Sequence, residues 1–280
     1  MIDIVTVVFE PEIPVLRAQA QSLALYGQRL GIRNIYVVLN DAETIAAQID
    51  PAWWGPLANS VLVIPRTAFS TPFVENGWVS QQALKLMTAA MSYNTYSMIL
   101  DAKTVLVREL DPEEFISNTG QIYTGLLDIY PVFETSRQIV NKLFDIDLNQ
   151  QVGPGGVPCI VHNDTVRMMI AEVTSRTQQS FPTWFQQQGM LTEFILYSGF
   201  VKFLCGELTV LYGTDNRMGT PCNVSHDEVG AWDHKFEQMS HQDTVTVSIH
   251  RGAWANLDSQ QQQQYRDLLI NHGIEAAADL

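Results

Sequence analysis

The chain has 280 residues and a formal charge of −14, from 30 Asp and Glu against 16 Lys and Arg. That excess of carboxylates repels nucleic acid and anionic lipid over most of the surface, and no block of Lys and Arg reverses it locally, so neither is an expected partner. A small anion in a cleft remains compatible, because one or two well-placed cations matter more to it than the global sum.

The length suits one α/β domain with a sizeable core, since no Pro/Gly/Ser linker interrupts the first two-thirds. No uncharged apolar run reaches the roughly 18 residues of a membrane span, and the first residues, Met1 to Phe9, lack a basic leader. A cytoplasmic protein is therefore expected. Cys159, Cys205 and Cys222 show no CxxC spacing, so neither a disulfide framework nor a zinc cage is indicated.

In chain order, the β-branched run 3–9 predicts a first strand, and Glu10-Pro11-Glu12-Ile13-Pro14 predicts a helix start. Leu16, Ala20, Leu23 and Leu30 continue that helix until Gly31, and Asn34 to Asp41 reads as a second strand. Strand, helix, strand is a βαβ unit, which implies a parallel sheet. Val61 to Pro65 gives a third strand. A helix from Trp78 to about Ser92, plotted at about 100° per residue, puts Val79, Ala83, Leu86 and Ala90 on a core face. Trp78, Gln81, Gln82 and Lys85 share the opposite face, which is either solvated or the lining of a cleft.

Tyr96 to Leu100 is an apolar strand that ends at Asp101, where a carboxylate either meets a ligand at the sheet rim or only accepts hydrogen bonds in a turn. Asp111-Pro112-Glu113-Glu114 starts a helix, and Ile122 to Leu127 reads as a strand. Val152 to Pro158 is a glycine-rich loop, read as a connecting turn or a close approach to ligand. Cys159 to Val161 is a short apolar run, and Asn163 or Asp164 is expected to cap the next helix. Thr192 caps a helix in which Glu193 and Tyr197 share a face. Leu208 to Tyr212 reads as a strand and 213–243 as a long irregular loop. Thr244 to Ile249 alternates as a strand should and leads into His250-Arg251, and a helix from about Asp258 to Asn271 stops at Gly273. The glutamines from Gln260 to Gln264 sit within that helix and carry no assigned function.

Asp-x-Asp after an apolar strand marks glycosyltransferases of the GT-A fold, and Leu100-Asp101-Ala102-Lys103-Thr104-Val105 resembles their Leu-Asp-Ala-Asp-Thr-Val version. Four further features are similar to a bacterial and viral branch of that superfamily. They are the βαβ ending in Asn40-Asp41, Trp78-x-x-Gln81-Gln82-x-x-Lys85-Leu86, Thr192-Glu193-Phe194-x-x-Tyr197 and Ile249-His250-Arg251-x-x-Trp254.

The resemblance implies a Rossmann-type mixed, mainly parallel sheet flanked by helices. Residues 1–110 would form its nucleotide-binding half and 111–280 its acceptor half. It also implies transfer of a hexose from a nucleotide-diphosphate sugar to a hydroxyl of a glycan or small acceptor. In the family, strand-end carboxylates hold a divalent cation, Mn2+ or Mg2+, against the donor phosphates, and a late His completes the coordination. Asp101 would then contact ribose or metal, His250 would bind metal or phosphate, and Asn40 and Asp41 would face the nucleoside. Glu10, Trp78, Gln82, Lys85, Lys103 and Arg251 complete the expected donor site, with Tyr197 and His162 toward the acceptor and Glu193 as base.

The departure is Lys103, which stands where the family has its second Asp. A protonated ammonium is no metal ligand, and beside Asp101 it stays protonated. Either Lys103 supplies the positive charge itself and transfer proceeds without metal, or the protein is a non-catalytic nucleotide- or glycan-binder on the same fold. A nucleotidyltransferase would need a cationic Gly-rich phosphate loop after the first strand, and residues 10–14 contain none.

Overall fold

The structure, a computed structural model, describes residues 1–40, 43–69, 77–123, 126–149, 151–153, 157–213, 217 and 219–280. Strand β1 (Ile2–Val8) leads through a 3-10 turn (Glu10–Glu12) into helix α1 (Ile13–Tyr26). Then follow β2 (Ile32–Leu39), β3 (Val61–Pro65), α2 (Gly77–Met91), β4 (Tyr96–Asp101), β5 (Val105–Leu106) and the short α3 (Pro112–Phe115). The middle of the chain holds β6 (Leu127–Asp128), α4 (Glu134–Phe144), β7 (Gln151–Val152), β8 (Cys159–His162), α5 (Asn163–Thr177), α6 (Phe181–Gln187) and α7 (Glu193–Cys205). The chain continues with β9 (Thr220–Val224), α8 (Trp232–Met239), β10 (Thr244–Ile249), α9 (Arg251–Trp254) and α10 (Ser259–Asn271).

The main sheet has strand order β3-β2-β1-β4-β8. Its pairs are parallel except β4 with β8, so the expected mixed, mainly parallel α/β sheet is present. All seven residues of β1 are buried, as a central parallel strand covered on both faces requires. Helix α1 packs Leu16, Ala20 and Leu23 into the core, and α2 packs Val79, Ala83, Leu86 and Ala89. A second sheet, β5-β10-β9, pairs β10 with β9 in parallel and with β5 antiparallel. It carries its own apolar cluster, including Val105, Cys222, Val247, Trp232 and Tyr265. No helix among the described residues is long and apolar enough to cross a membrane.

The amino ends of the main-sheet strands are closed by polar contacts. Asp3, fully buried, accepts from Asn34 and Asn94 and from the Ser92 hydroxyl, and Asn163 reaches Ser92 and Asn94 beside it. The opposite edge is open, and the functional side chains gather there.

Four expectations for local structure are corrected. Leu208 to Tyr212 is not a strand but begins with a 3-10 turn, Leu208–Val210. Leu208 and Tyr212, its buried residues, are four apart, a helical spacing rather than an alternation. Residues 213–243 are not one irregular loop. Cys222 and Val224, two apart and buried, make the inner face of β9, while Trp232, Phe236 and Met239 form the apolar stripe of α8. The cap of α5 is His162, whose ring accepts from Thr165 N, rather than Asn163 or Asp164. The expected strand 122–127 is reduced to bridges at Ile122 and to β6, with 124 and 125 outside the described residues.

Candidate functional site

From β1 the chain builds outward through β2 and β3, then returns to the other side of β1 as β4. The connections diverge between β1 and β4, and the crevice beyond the carboxyl ends at such a point is where open α/β sheets bind ligands. Phe9, Asn40 and Arg66 directly follow β1, β2 and β3, and Asp101 closes β4, in register with Val7 of β1. The parallel pair β9 and β10 ends on the same cleft with Ser225, His250 and Arg251. Together with Trp78, Gln82 and Lys85 of α2 and the start of α7, these residues wall a cleft of about 1190 Å³.

At its base lies a ladder of alternating charge. Lys103 Nζ lies 2.7 Å from Asp101 Oδ2, and Lys85 Nζ lies 2.6 Å from Asp101 Oδ1 and 2.9 Å from Glu193 Oε1. Side-chain exposure falls along it, from 21% at Lys103 and 19% at Asp101 to 3% at Lys85 and 1% at Glu193. The four charges cancel, but the positive end faces the cleft and the negative end is buried. Gln82 turns its amide toward the Glu193 carboxylate, and the Lys85 ammonium lies 5.7 Å from the centre of the Phe194 ring.

Burial alone would raise the Asp101 carboxyl, but the ammonium groups of Lys103 and Lys85 outweigh it and hold Asp101 well below the usual carboxylate range. Burial likewise disfavours the Lys85 cation, and Asp101 and Glu193 reverse the effect, so Lys85 is held above the usual ammonium range. Glu193 goes the other way, because desolvation there exceeds the pull of Lys85 and raises its carboxyl.

The turn carrying Asp101 and Lys103 is held from α1. Thr104 N donates to Asp101 O at 2.8 Å, and Gln19 Nε2 donates to Asp101 O at 2.6 Å and to Thr104 O at 3.0 Å. One turn along α1, Ser22 Oγ accepts from Leu106 N at 3.0 Å. A helix placed by its apolar stripe thus fixes the direction of the turn at the sheet's carboxyl edge.

Among the described residues no divalent-cation site is assembled. Each Asp101 oxygen faces a lysine, and His250 caps α9, its Nδ1 accepting from Gly252 N at 3.1 Å. Among the described residues no three His, Cys, Asp or Glu side chains are grouped to hold a metal ion.

Of the residues singled out in the sequence, Asn40, Trp78, Gln82, Lys85, Asp101, Lys103, Glu193, His250 and Arg251 meet in this cleft. Asp41 lies outside the described residues. Glu10 is exposed, accepts from Gln48 at 3.0 Å and is not part of the cleft wall. His162 and Tyr197, expected toward the acceptor, do not line this cleft. His162 pairs with Tyr96 at the far end of β4 from Asp101, roughly 16 Å away at strand rise. Tyr197 is fully buried, its hydroxyl accepting from His162 N at 2.9 Å. Sharing a helix face with Glu193 placed it in the core behind the site. Reasoning from sequence missed Arg66, Glu12 and Gln19. Arg66 was signalled by its place directly after a parallel strand, whereas nothing local marks Gln19, whose partners lie more than eighty residues away.

Two solved structures are similar to this chain in fold. The galactosyltransferase LgtC, solved with donor and acceptor sugar analogues, superposes with a TM-score of 0.51 at 12% identity, covering 96% of this chain and 95% of that one. The bifunctional glycosyltransferase WbbM, in its apo form, gives 0.51 at 13% identity over 96% of this chain and 50% of that one. At such identity the likeness concerns the fold, which is GT-A, as the motifs implied. No curated protein matches in sequence. A family model matches residues 15–259, and the chain belongs to that family, the family of unknown function DUF6492.

Proposed function

We propose that the protein transfers a hexosyl group from a nucleotide-diphosphate sugar to a hydroxyl of a glycan or small acceptor. The observation that carries this reading is the cationic rim of an acidic protein's switch-point cleft. Lys103, Arg251 and Arg66 line it, and the exposed Arg251 guanidinium has no hydrogen-bond or ion-pair partner among the described residues. The fold of the chain, shared with glycosyltransferases, is consistent with it.

In transfer, the acceptor oxygen bonds to the anomeric carbon while the bond from that carbon to the phosphate oxygen breaks; its electron pair leaves with the diphosphate, which takes up the hydroxyl proton. Charge develops on the diphosphate, and preorganised cations stabilise it without reorganising. Lys103 and Arg251 are placed for this role, with Asp101 orienting Lys103 from behind. Lys85 offsets the Asp101 charge, so Asp101 does not repel the donor. Glu193 serves as the counter-ion of Lys85 rather than as the base, since its carboxylate is buried and held by Lys85 and Gln82. In this reading Lys103 replaces the metal ion.

A non-catalytic binding role is the second reading, and it draws on the same fact that lysines occupy both Asp101 oxygens. Purified protein is to be incubated with the diphosphate sugars of uridine, guanosine, adenosine, cytidine and thymidine, with and without manganese. Turnover of one of them is expected. Binding without turnover, together with metal-dependent activity gained on Lys103→Asp, selects the binding role. Absence of both binding and turnover removes transfer and nucleotide binding alike.

A further inference from the structure

Behind the main cleft lies a second cavity of about 170 Å³. Glu12, Lys103 and Arg251 belong to the walls of both. Beyond that mouth Pro14 and Val15 from α1, Ile249 from β10, Trp254 from α9 and Tyr265 from α10 form an apolar wall, and Asp279, paired with Arg17, and Leu280 also line it. Trp254 and Tyr265 meet edge to face, their ring centres 5.9 Å apart.

The volume sets the size of the occupant. An apolar cavity of about 150 Å³ accepts benzene, so this one holds a single six-membered ring and not a disaccharide or an acyl chain. Its wall selects an apolar ring face, because aromatic and aliphatic side chains leave a sugar ring's hydroxyls unpaired. Its mouth selects a polar substituent, because the one carboxylate there stands beside two cations.

Glu12 has the freedom that Glu193 lacks. It ends the 3-10 turn after β1, and its one hydrogen bond among the described residues is a long one of 3.4 Å from Phe9 N. Burial raises its carboxyl, opposed by Lys103.

We propose that this cavity is the acceptor subsite, that it takes a hydroxyl-bearing aromatic or alicyclic ring, and that Glu12 at its mouth accepts the hydrogen bond of the acceptor hydroxyl. The ring then points its oxygen at the place where Lys103 and Arg251 hold the donor diphosphate. The proposal rests on the glycosyl-transfer reading for its consequence, but the subsite itself can be tested without it.

The test titrates the full chain, free and saturated with whichever nucleotide sugar binds, with benzyl alcohol and cyclohexylmethanol, and in parallel with methyl glucoside and methyl galactoside. Saturation-transfer NMR follows binding, and mass spectrometry follows product. The ring alcohols are expected to bind the free protein, to show NOE contacts to Trp254 and Tyr265, and to accept sugar in preference to the methyl glycosides. Val15→Trp fills the cavity and is expected to weaken ring-alcohol binding at least about tenfold while leaving the nucleotide-sugar Kd unchanged, a difference of about 1.4 kcal/mol in the first only. Glu12→Gln is expected to raise KM for the ring alcohol more than it lowers kcat. Ring alcohols that fail to bind, or that bind without NOE contact to Trp254 and Tyr265, overturn the subsite whether or not Val15→Trp folds. If no nucleotide sugar binds, the transfer reading fails and the subsite still stands or falls on the titration of the free protein.

Discussion

Lys103 and Asp101, two residues apart in one turn, form an ion pair of 2.7 Å at the point where the sheet's carboxyl edge opens into the cleft. Lys103 stands where the glycosyltransferase motif that this turn resembles carries a carboxylate, and its counter-ion is Asp101, two positions earlier. The pair is stable because Lys85 occupies the other oxygen of Asp101, and Lys85 in turn is balanced by Glu193.

That arrangement predicts a large cost for removing its centre. Lys85→Met leaves the buried Glu193 without its cation and Asp101 with Lys103 alone, and should destabilise the protein by roughly 3–5 kcal/mol. Urea denaturation measures the loss. Adding Glu193→Gln to Lys85→Met should restore part of it, because one buried charge is then removed. Equal stability of the double and single variants would show that the two charges do not interact.

Acid should act through Asp101. Its carboxyl is depressed in the folded state, so it contributes stability that is present above the ordinary Asp range, about 3.9, and is lost as pH falls toward its folded value. Glu193, being raised, acts with the opposite sign and partly offsets this in mild acid. Lys103→Met removes one of the cations that depress Asp101, so the acid-induced loss should be smaller and complete at a higher pH than in the unaltered protein. Urea midpoints followed from about pH 7 to about pH 2 report the difference.

These two predictions concern a ladder only half visible in the sequence. The strand ending at Asp101 and the polar face of α2 were legible because periodicity and strand-end position are local properties. Periodicity could not decide whether Gln82 and Lys85 meet water or protein, and both are buried. What buries them is Glu193, which comes from a helix more than one hundred residues later. The same limit explains Tyr197, correctly placed on the face of Glu193 yet facing the core, and His162, whose strand runs antiparallel to β4 and so ends away from the site. Glycine and proline between 213 and 243 obscured β9 and α8, although the two-residue spacing of Cys222 and Val224 and the stripe from Trp232 to Met239 were present.

Gln19 is predicted to be structural and functional at once. Gln19→Ala removes both hydrogen bonds to the turn at Asp101 and Thr104, leaving their carbonyls without this donor, and should cost about 1–3 kcal/mol. Because Lys103 rides on that turn, nucleotide affinity should fall as well. Thermal unfolding and calorimetric titration of the same preparation separate the two effects, and unchanged affinity would detach the turn from binding.

The cationic rim should act additively on the donor. Lys103→Met and Arg251→Ala should each weaken binding of a nucleoside diphosphate by about tenfold or more, as expected for loss of one charge-assisted hydrogen bond of about 1.5–3 kcal/mol. Both effects should shrink at high salt, because the rim is partly exposed. Titration at low and high ionic strength measures them, and variants that bind as tightly as the unaltered protein would remove these residues from the donor site.

The most direct test of the account is calorimetric titration of the intact chain with nucleotide-diphosphate sugars, first in chelator and then in manganese. The account predicts that one of them binds with the same affinity in both. Binding that appears only with manganese, or no binding in either, would contradict it.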